Sequence, residues 1–287
     1  MRKVFLLLAV FSFLVTPVFA MPSDADSNTA QLKGTIGEAV HLNQPIDLGW
    51  GPIAIGFGAT GDFVLDRSLE GTDLSTDTGD LEAMWYGGNF YFDPIDRVHL
   101  NLFVGVANIQ VGGLSISNNT TTKVEIESET NLAGGSSGKV DIIEFAVFPD
   151  LPLMQLFVSG GYRYANLDAD SASRLGNRTL NLDTNFELHE WQAGGGVSQR
   201  INWSGLGWVI YVGGNYSDLD LNVSGDTKYP IGGGSTETVQ TGHLESEEVV
   251  GVFCGLQILG WEDRLSVTVE GRFIDETAVS VNGRLRW

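Results

Sequence analysis

From Trp50 onward, apolar and polar residues alternate along the chain. The last stretch shows the pattern most clearly: Val279, Val281, Gly283, Leu285 and Trp287 share one phase, and Ser280, Asn282, Arg284 and Arg286 the other. The stretch before it repeats this, with Leu265, Val267, Val269, Gly271 and Phe273 set against Arg264, Ser266, Thr268, Glu270 and Arg272. Period two is the signature of strands with two unlike faces. The pattern divides the chain into about ten strands, at 51–65, 81–92, 97–111, 139–148, 153–166, 184–200, 207–221, 243–259, 264–274 and 277–287; another division of the segments would give eight or twelve. An even number brings the chain back to the side from which it started.

Alternation by itself fits two architectures. A soluble sandwich or barrel turns the apolar phase inward, whereas a membrane barrel turns it out to lipid and keeps the polar phase for the lumen. The connections favour the second. Short turn-like segments at Asp93–Arg97, Phe148–Leu153, Ile201–Gly207 and Gly260–Arg264 alternate with long polar stretches at Asp66–Asp80, Gly112–Lys139, Asn166–Thr184 and Asn222–Gly242. That is the expected asymmetry between tight periplasmic turns and longer outer loops. Trp50, Phe148, Trp203, Trp208, Trp261 and Trp287 all fall beside the short turns, where an interfacial girdle would lie.

The final alternating strand ends on Trp287. It resembles the C-terminal signature of bacterial outer-membrane β-barrels, a terminal aromatic preceded by apolar residues at alternate positions. The resemblance covers residues 279–287, and it implies that Val279, Val281, Leu285 and Trp287 form a signal read by the barrel-assembly machinery. Gly-Gly pairs recur within the strands, at Gly87-Gly88, Gly160-Gly161, Gly194-Gly195-Gly196 and Gly213-Gly214. Mid-strand glycine marks a bend or a close approach, and it would leave room for large lumen side chains. This too resembles small outer-membrane proteins with Gly-Gly strands. The predicted fold is therefore all-β: a transmembrane antiparallel up-and-down β-barrel.

The N-terminal region is read separately. Arg2 and Lys3, the apolar run Val4–Leu14 and the small-residue end Val18-Phe19-Ala20 have the layout of a secretory signal peptide, giving 1–20 as signal, 21–49 as a periplasmic leader and 50–287 as barrel. Past Ala20 no segment has the roughly 18 consecutive apolar residues that a helical span needs. Lys and Arg number 16 against 36 Asp and Glu, which argues against nucleic acid as a partner and suits solvated acidic outer loops. Cys254 is the single cysteine, so no internal disulfide is expected.

The candidate chemistry is sparse. Face assignment puts Arg163, Glu270, Arg272, Arg284 and Arg286 in the lumen, with Asp62, His99 and Asn101 beside them. Buried charges need partners, so this set reads either as a polar plug or as a narrow, charge-selective conduit. Ten strands leave little open lumen. His189 lies between Glu187 and Glu190, and His243 near Glu245 and Glu247; with Ser171 or Ser246 they could be arranged as a rim hydrolase, but neither GxSxG nor HExxH occurs. His41 lies in the leader. Asp66, Asp73, Asp77 and Asp80 crowd one loop, and Asp218 and Asp220 precede another, without an EF-hand spacing; divalent ions could bridge them to lipopolysaccharide. The leading expectation is a non-enzymatic structural or surface protein without cofactor or metal, in contact with outer-membrane lipid and lipopolysaccharide. The alternatives are a narrow channel, a rim enzyme and a soluble exported barrel that binds an apolar ligand.

Overall fold

The computed structural model describes residues 54–287 apart from 72–78, 96, 118–119, 146–153, 175–178, 181, 232–234, 240–241 and 262. The signal and leader segments therefore lie outside the described residues, as do His41, Trp50, Asp73, Asp77 and Phe148. The strands are β1 (Ala54–Asp66), β2 (Ser68–Gly71), β3 (Gly79–Ile95), β4 (Val98–Ser117), β5 (Thr120–Ser128), β6 (Asn131–Phe145), β7 (Met154–Arg174), β8 (Thr179–Leu180), β9 (Leu182–Trp203), β10 (Leu206–Ile231), β11 (Ser235–Val239), β12 (Gly242–Ser246), β13 (Val250–Gly260), β14 (Leu265–Phe273) and β15 (Thr277–Arg286).

Ten of them form a closed antiparallel ring in the order β1, β3, β4, β6, β7, β9, β10, β13, β14, β15, with β15 pairing back to β1. The expected barrel is thus present, and each ring strand pairs with the next one along the chain. Closure leaves no free edge. At the short-turn end, Ser204 and Gly205 both take positive φ, 57° and 80°, the geometry of the two-residue hairpin turns that suit strand twist.

The wall closes differently at the opposite end. The hairpin β14–β15 stops early, at the turn 274–276. Beyond it, β2 continues the line of β1 past Arg67, and β12 lies in the line of β13. These two pair directly, Leu244 with Gly71 and Ser246 with Leu69. β5 likewise precedes β6 in line, between β4 and β7. The ring at this level therefore runs β2, β3, β4, β5, β7, β9, β10, β12. The segments expected as long outer loops are largely strand: Gly112–Lys139 contains the end of β4, all of β5 and the start of β6, and Asn222–Gly242 contains the end of β10 and β11. Hydrophilic sequence there does not mark an absence of regular structure.

Sidedness reverses along the axis. In the short-turn half, the outward phase is apolar. Val267, Val269 and Val281 are 44%, 47% and 42% exposed, and Val279 and Leu285 share their face, half-buried. On β1 the outward apolar run extends from Ile55 to Leu65. At about 3.3 Å per residue and a tilt near 40° it rises roughly 25 Å, the height of a lipid-facing band. In the far half the same strands keep their phase but exchange their chemistry. β4 turns Leu100, Leu102 and Val104 outward low down, and Asn108 and Gln110 outward higher up; its inward residues pass from His99 and Asn101 to Ala107, Ile109 and Val111. Leu69, Leu81, Leu167, Phe186, Leu188, Leu219 and Leu221 complete a dry core there, while Glu70, Glu82, Glu127 and Glu245 face out. The expectation of a polar interior and apolar exterior over the whole barrel is corrected: it holds for the short-turn half only.

Inward glycines receive aromatic rings from the neighbouring strand. A Cβ on Gly255 would overlap the Tyr211 ring, and one on Gly213 the Phe253 ring. Gly255→Val should therefore lower the denaturant midpoint of micelle-folded protein by an overpacking cost of about 1–3 kcal/mol. Combination with Tyr211→Ala should recover part of that loss, measured by equilibrium unfolding followed by tryptophan fluorescence.

Candidate functional site

The interior between belt and core is ionic. Arg67 stands where β1 gives way to β2, next to an irregularity in the β1–β15 register between Val64 and Asp66. Its guanidinium turns inward. Nη1 lies 2.9 Å from Glu190 and 3.2 Å from Glu276; Nη2 donates to the Ser217 carbonyl at 3.1 Å, to Ser217 Oγ at 3.1 Å and to Ser246 Oγ at 2.7 Å. Arg163, on β7, donates through Nη1 to Asp62 at 2.5 Å, and through Nε and Nη2 to Glu190 Oε2 at 3.0 and 2.6 Å. Arg272, on β14, lies 3.6 Å from Asp62 and 3.5 Å from Glu276. Gln192 Nε2 and Ser217 Oγ also donate to Glu190, at 2.9 and 3.2 Å. Three guanidinium groups thus interleave with three carboxylates across the barrel. Glu190 is their hub and has no solvent exposure.

The turn 274–276 completes this layer from below. Asp275 and Glu276 are drawn inside, and Asn215 Nδ2 donates to Asp275 Oδ2 at 2.8 Å. Ile274 is left outside with φ of 90°, a conformation that costs a β-branched residue about 1–3 kcal/mol. The buried ion pairs of Glu276 and the hydrogen bond from Asn215 to Asp275 hold it there.

A second layer lies near the short turns. Asp93 accepts from Arg284 Nη2 at 3.0 Å and lies 3.0 Å from Arg286 Nη2. His99 sits between two carboxylates, Nδ1 3.0 Å from Asp93 and Nε2 3.1 Å from Asp141. Lys139 Nζ is 3.0 Å from Asp141 and 4.7 Å from the Phe157 ring centroid. Arg284 lies 4.2 Å over Tyr91, and Tyr211 Oη donates to Glu270 at 2.7 Å. Asn101 donates to Ser137 Oγ at 3.4 Å.

The sequence-derived set is therefore divided by the fold. Arg163, Arg272 and Asp62 meet in the upper layer, Arg284, Arg286 and His99 in the lower, and Glu270 accepts from Tyr211 below Arg272 on the same strand. Arg67, Glu276, Lys139, Asp93 and Asp141 are additional members that the sequence reading did not single out, and Glu190, read there as a carboxylate beside His189 at the rim, turns inward instead. Glu190 carries a usable signal, since Phe186, Leu188, Glu190 and Gln192 share one phase. Arg67 carries none, because the register irregularity shifts its face.

Of the rim pairs raised by the sequence, His243 and Ser246 lie on opposite faces of the wall. His243 Nδ1 is 3.2 Å from Asp220 and Nε2 3.0 Å from Glu245, on the outer face; Ser246 Oγ accepts from Arg67 and from the Leu219 N–H, on the inner one. The Ser171 side chain lies outside the described residues. Among the described residues no group of three or more His, Cys, Asp or Glu is arranged to hold a metal ion. Cys254 shares the outward phase of Val252 and is half-buried.

Glu190→Gln keeps the shape of the hub and removes its charge, leaving Arg67 and Arg163 undercompensated. A loss of about 3–5 kcal/mol in unfolding free energy is expected, against less than about 0.5 kcal/mol for Glu187→Gln on the outer face. Denaturant titration of both variants in the same micelles checks this.

No family model matches the chain, and no curated relative matches it. Among solved structures it is similar to the transport unit of the autotransporter AIDA-I from Escherichia coli, at 9% identity over 90% of this chain and 97% of that one, with a TM-score of 0.35. It is also similar to the translocator domain of the autotransporter NalP from Neisseria meningitidis, at 11% identity over 91% and 94%, with a TM-score of 0.37. Nothing about function follows at such scores; the antiparallel barrel stands on its own closed hydrogen-bond ring.

Proposed function

We propose that this chain is a non-conducting, non-enzymatic outer-membrane β-barrel of a Gram-negative-type bacterium. In this reading the short turns face the periplasm. The far half stands above the bilayer as a closed, acidic, strand-built stub with a structural or surface-contact role. The observation that carries the reading is the sealed interior. The short-turn half holds two ionic layers, and above them the far half is filled by a core that includes Phe186, Leu188, Leu219 and Leu221. An ion entering from either side would have to displace a paired guanidinium or enter hydrocarbon, and both are costly.

Membrane placement is supported by the belt and by aromatic residues at both of its margins. Trp203, Trp261 and Trp287 are exposed at the short-turn margin, and Tyr86, Trp191 and Tyr216 at the other. A closed barrel satisfies the backbone within hydrocarbon. β10 has 26 residues, far more than the roughly 9–11 that a spanning strand needs, so most of the excess projects. The terminal residues Val279, Val281, Leu285 and Trp287 are assigned to recognition by the barrel-assembly machinery.

The native protein reconstituted in planar bilayers should show no unitary conductance, and the triple variant Arg163→Ala, Glu190→Ala, Arg272→Ala should flicker open. A steady conductance from the native barrel would overturn the sealed reading. Recovery of the chain in the aqueous periplasmic fraction without detergent would overturn the membrane reading. Removal of Trp287 should reduce the yield of folded barrel in cells, read as the heat-modifiable band on gels.

A further inference from the structure

The outward face of β7 and β9 carries a graded ladder. Tyr162 pairs with Trp191, Tyr164 with His189, Asn166 with Glu187 and Asp168 with Asn185. The Tyr162 and Trp191 rings lie 4.4 Å apart, and those of Tyr164 and His189 5.0 Å. Tyr162 Oη is 2.7 Å from His189 Nδ1, and Tyr164 Oη donates to Glu187 at 3.4 Å. Higher up, Asn185 Nδ2 donates to Asn166 Oδ1 at 2.6 Å and to Asp168 Oδ1 at 3.2 Å. Trp191 is 61% exposed, and neither ionic layer uses it. Directly beneath, Gly160 faces Ala193 and Gly195 faces Gly214, so the belt is bare there between Val158 and Val212.

A sugar ring has a face of C–H groups and a rim of hydroxyls. The ladder offers the matching surface, aromatic rings first and then amides, imidazole and carboxylates able to donate to and accept from hydroxyls. Glu187 and Asp168 repel a phosphate, which favours a neutral sugar over an anionic phosphate headgroup. The ladder also sits where the apolar belt gives way to the acidic wall, the depth at which lipid headgroups lie. We propose that it binds the neutral sugar headgroup of an outer-leaflet glycolipid, with the acyl chain along the bare strip below. This rests on the membrane reading above.

The test uses the full chain folded in amine-oxide micelles doped with dodecyl maltoside, with bound adducts counted by native mass spectrometry. The native barrel should carry maltoside adducts, and Trp191→Ala about tenfold fewer. Trp191→Phe, which keeps a ring, should recover most of them, and Trp203→Ala at the opposite margin should change nothing. Heat-modifiable mobility verifies that each variant is folded. Equal adducts on Trp191→Ala, equal loss on Trp203→Ala, or equal binding of dodecyl phosphate would overturn the site. Flotation of the native chain with lipid vesicles reports the membrane reading separately: a chain that floats but is indifferent to Trp191→Ala overturns the sugar site alone.

Discussion

A carboxylate without water must be surrounded by donors, and the Glu190 side chain is. It accepts from Gln192 on its own strand and from Arg67, Arg163 and Ser217 on three other segments. That requirement fixes where β1 changes partners, because Arg67 reaches Glu190 only from the junction with β2. It also fixes the shortness of the last hairpin, because Glu276 meets Arg67 only if the turn 274–276 folds inward. Removal of any one charge strands the others in a medium that cannot solvate them.

The layer also separates two kinds of wall. Below it the wall faces outward with valine, leucine and phenylalanine, and the lumen holds charged and polar groups around the buried rings of Phe157, Tyr211 and Phe253. Above it the wall faces outward with glutamate, aspartate and asparagine, and the lumen is leucine and phenylalanine. One strand can serve both halves because on β4, β9 and β10 the backbone phase is unbroken; only the choice of side chain for each phase changes. β9 shows the exchange within a few residues, from Trp191 outward and Glu190 inward to Glu187 outward and Leu188 inward.

Barrel closure was legible in the sequence because period two persists through most of the chain and because tight turns punctuate it. The inward phase of Arg284 and Arg286 is readable since β15 pairs with both neighbours without a register shift from Ala278 to Arg286. The stub was not legible. Asn166 and Asp168 look like loop residues until Leu167 is seen to join the core behind them. Arg67 and Asp141 adjoin register irregularities, and a one-residue slip inverts every face beyond it. Glu276 lies in a turn, where no periodicity assigns a direction.

The reversal of sidedness has a mechanical corollary. A cylinder that is greasy along its full length could bob in a bilayer at little cost. With the barrel placed in a bilayer as proposed, a downward displacement would drag Glu82, Asp218 and Glu187 into hydrocarbon, and an upward one would lift Leu65 and Met84 into water. The chain therefore carries its own waterline.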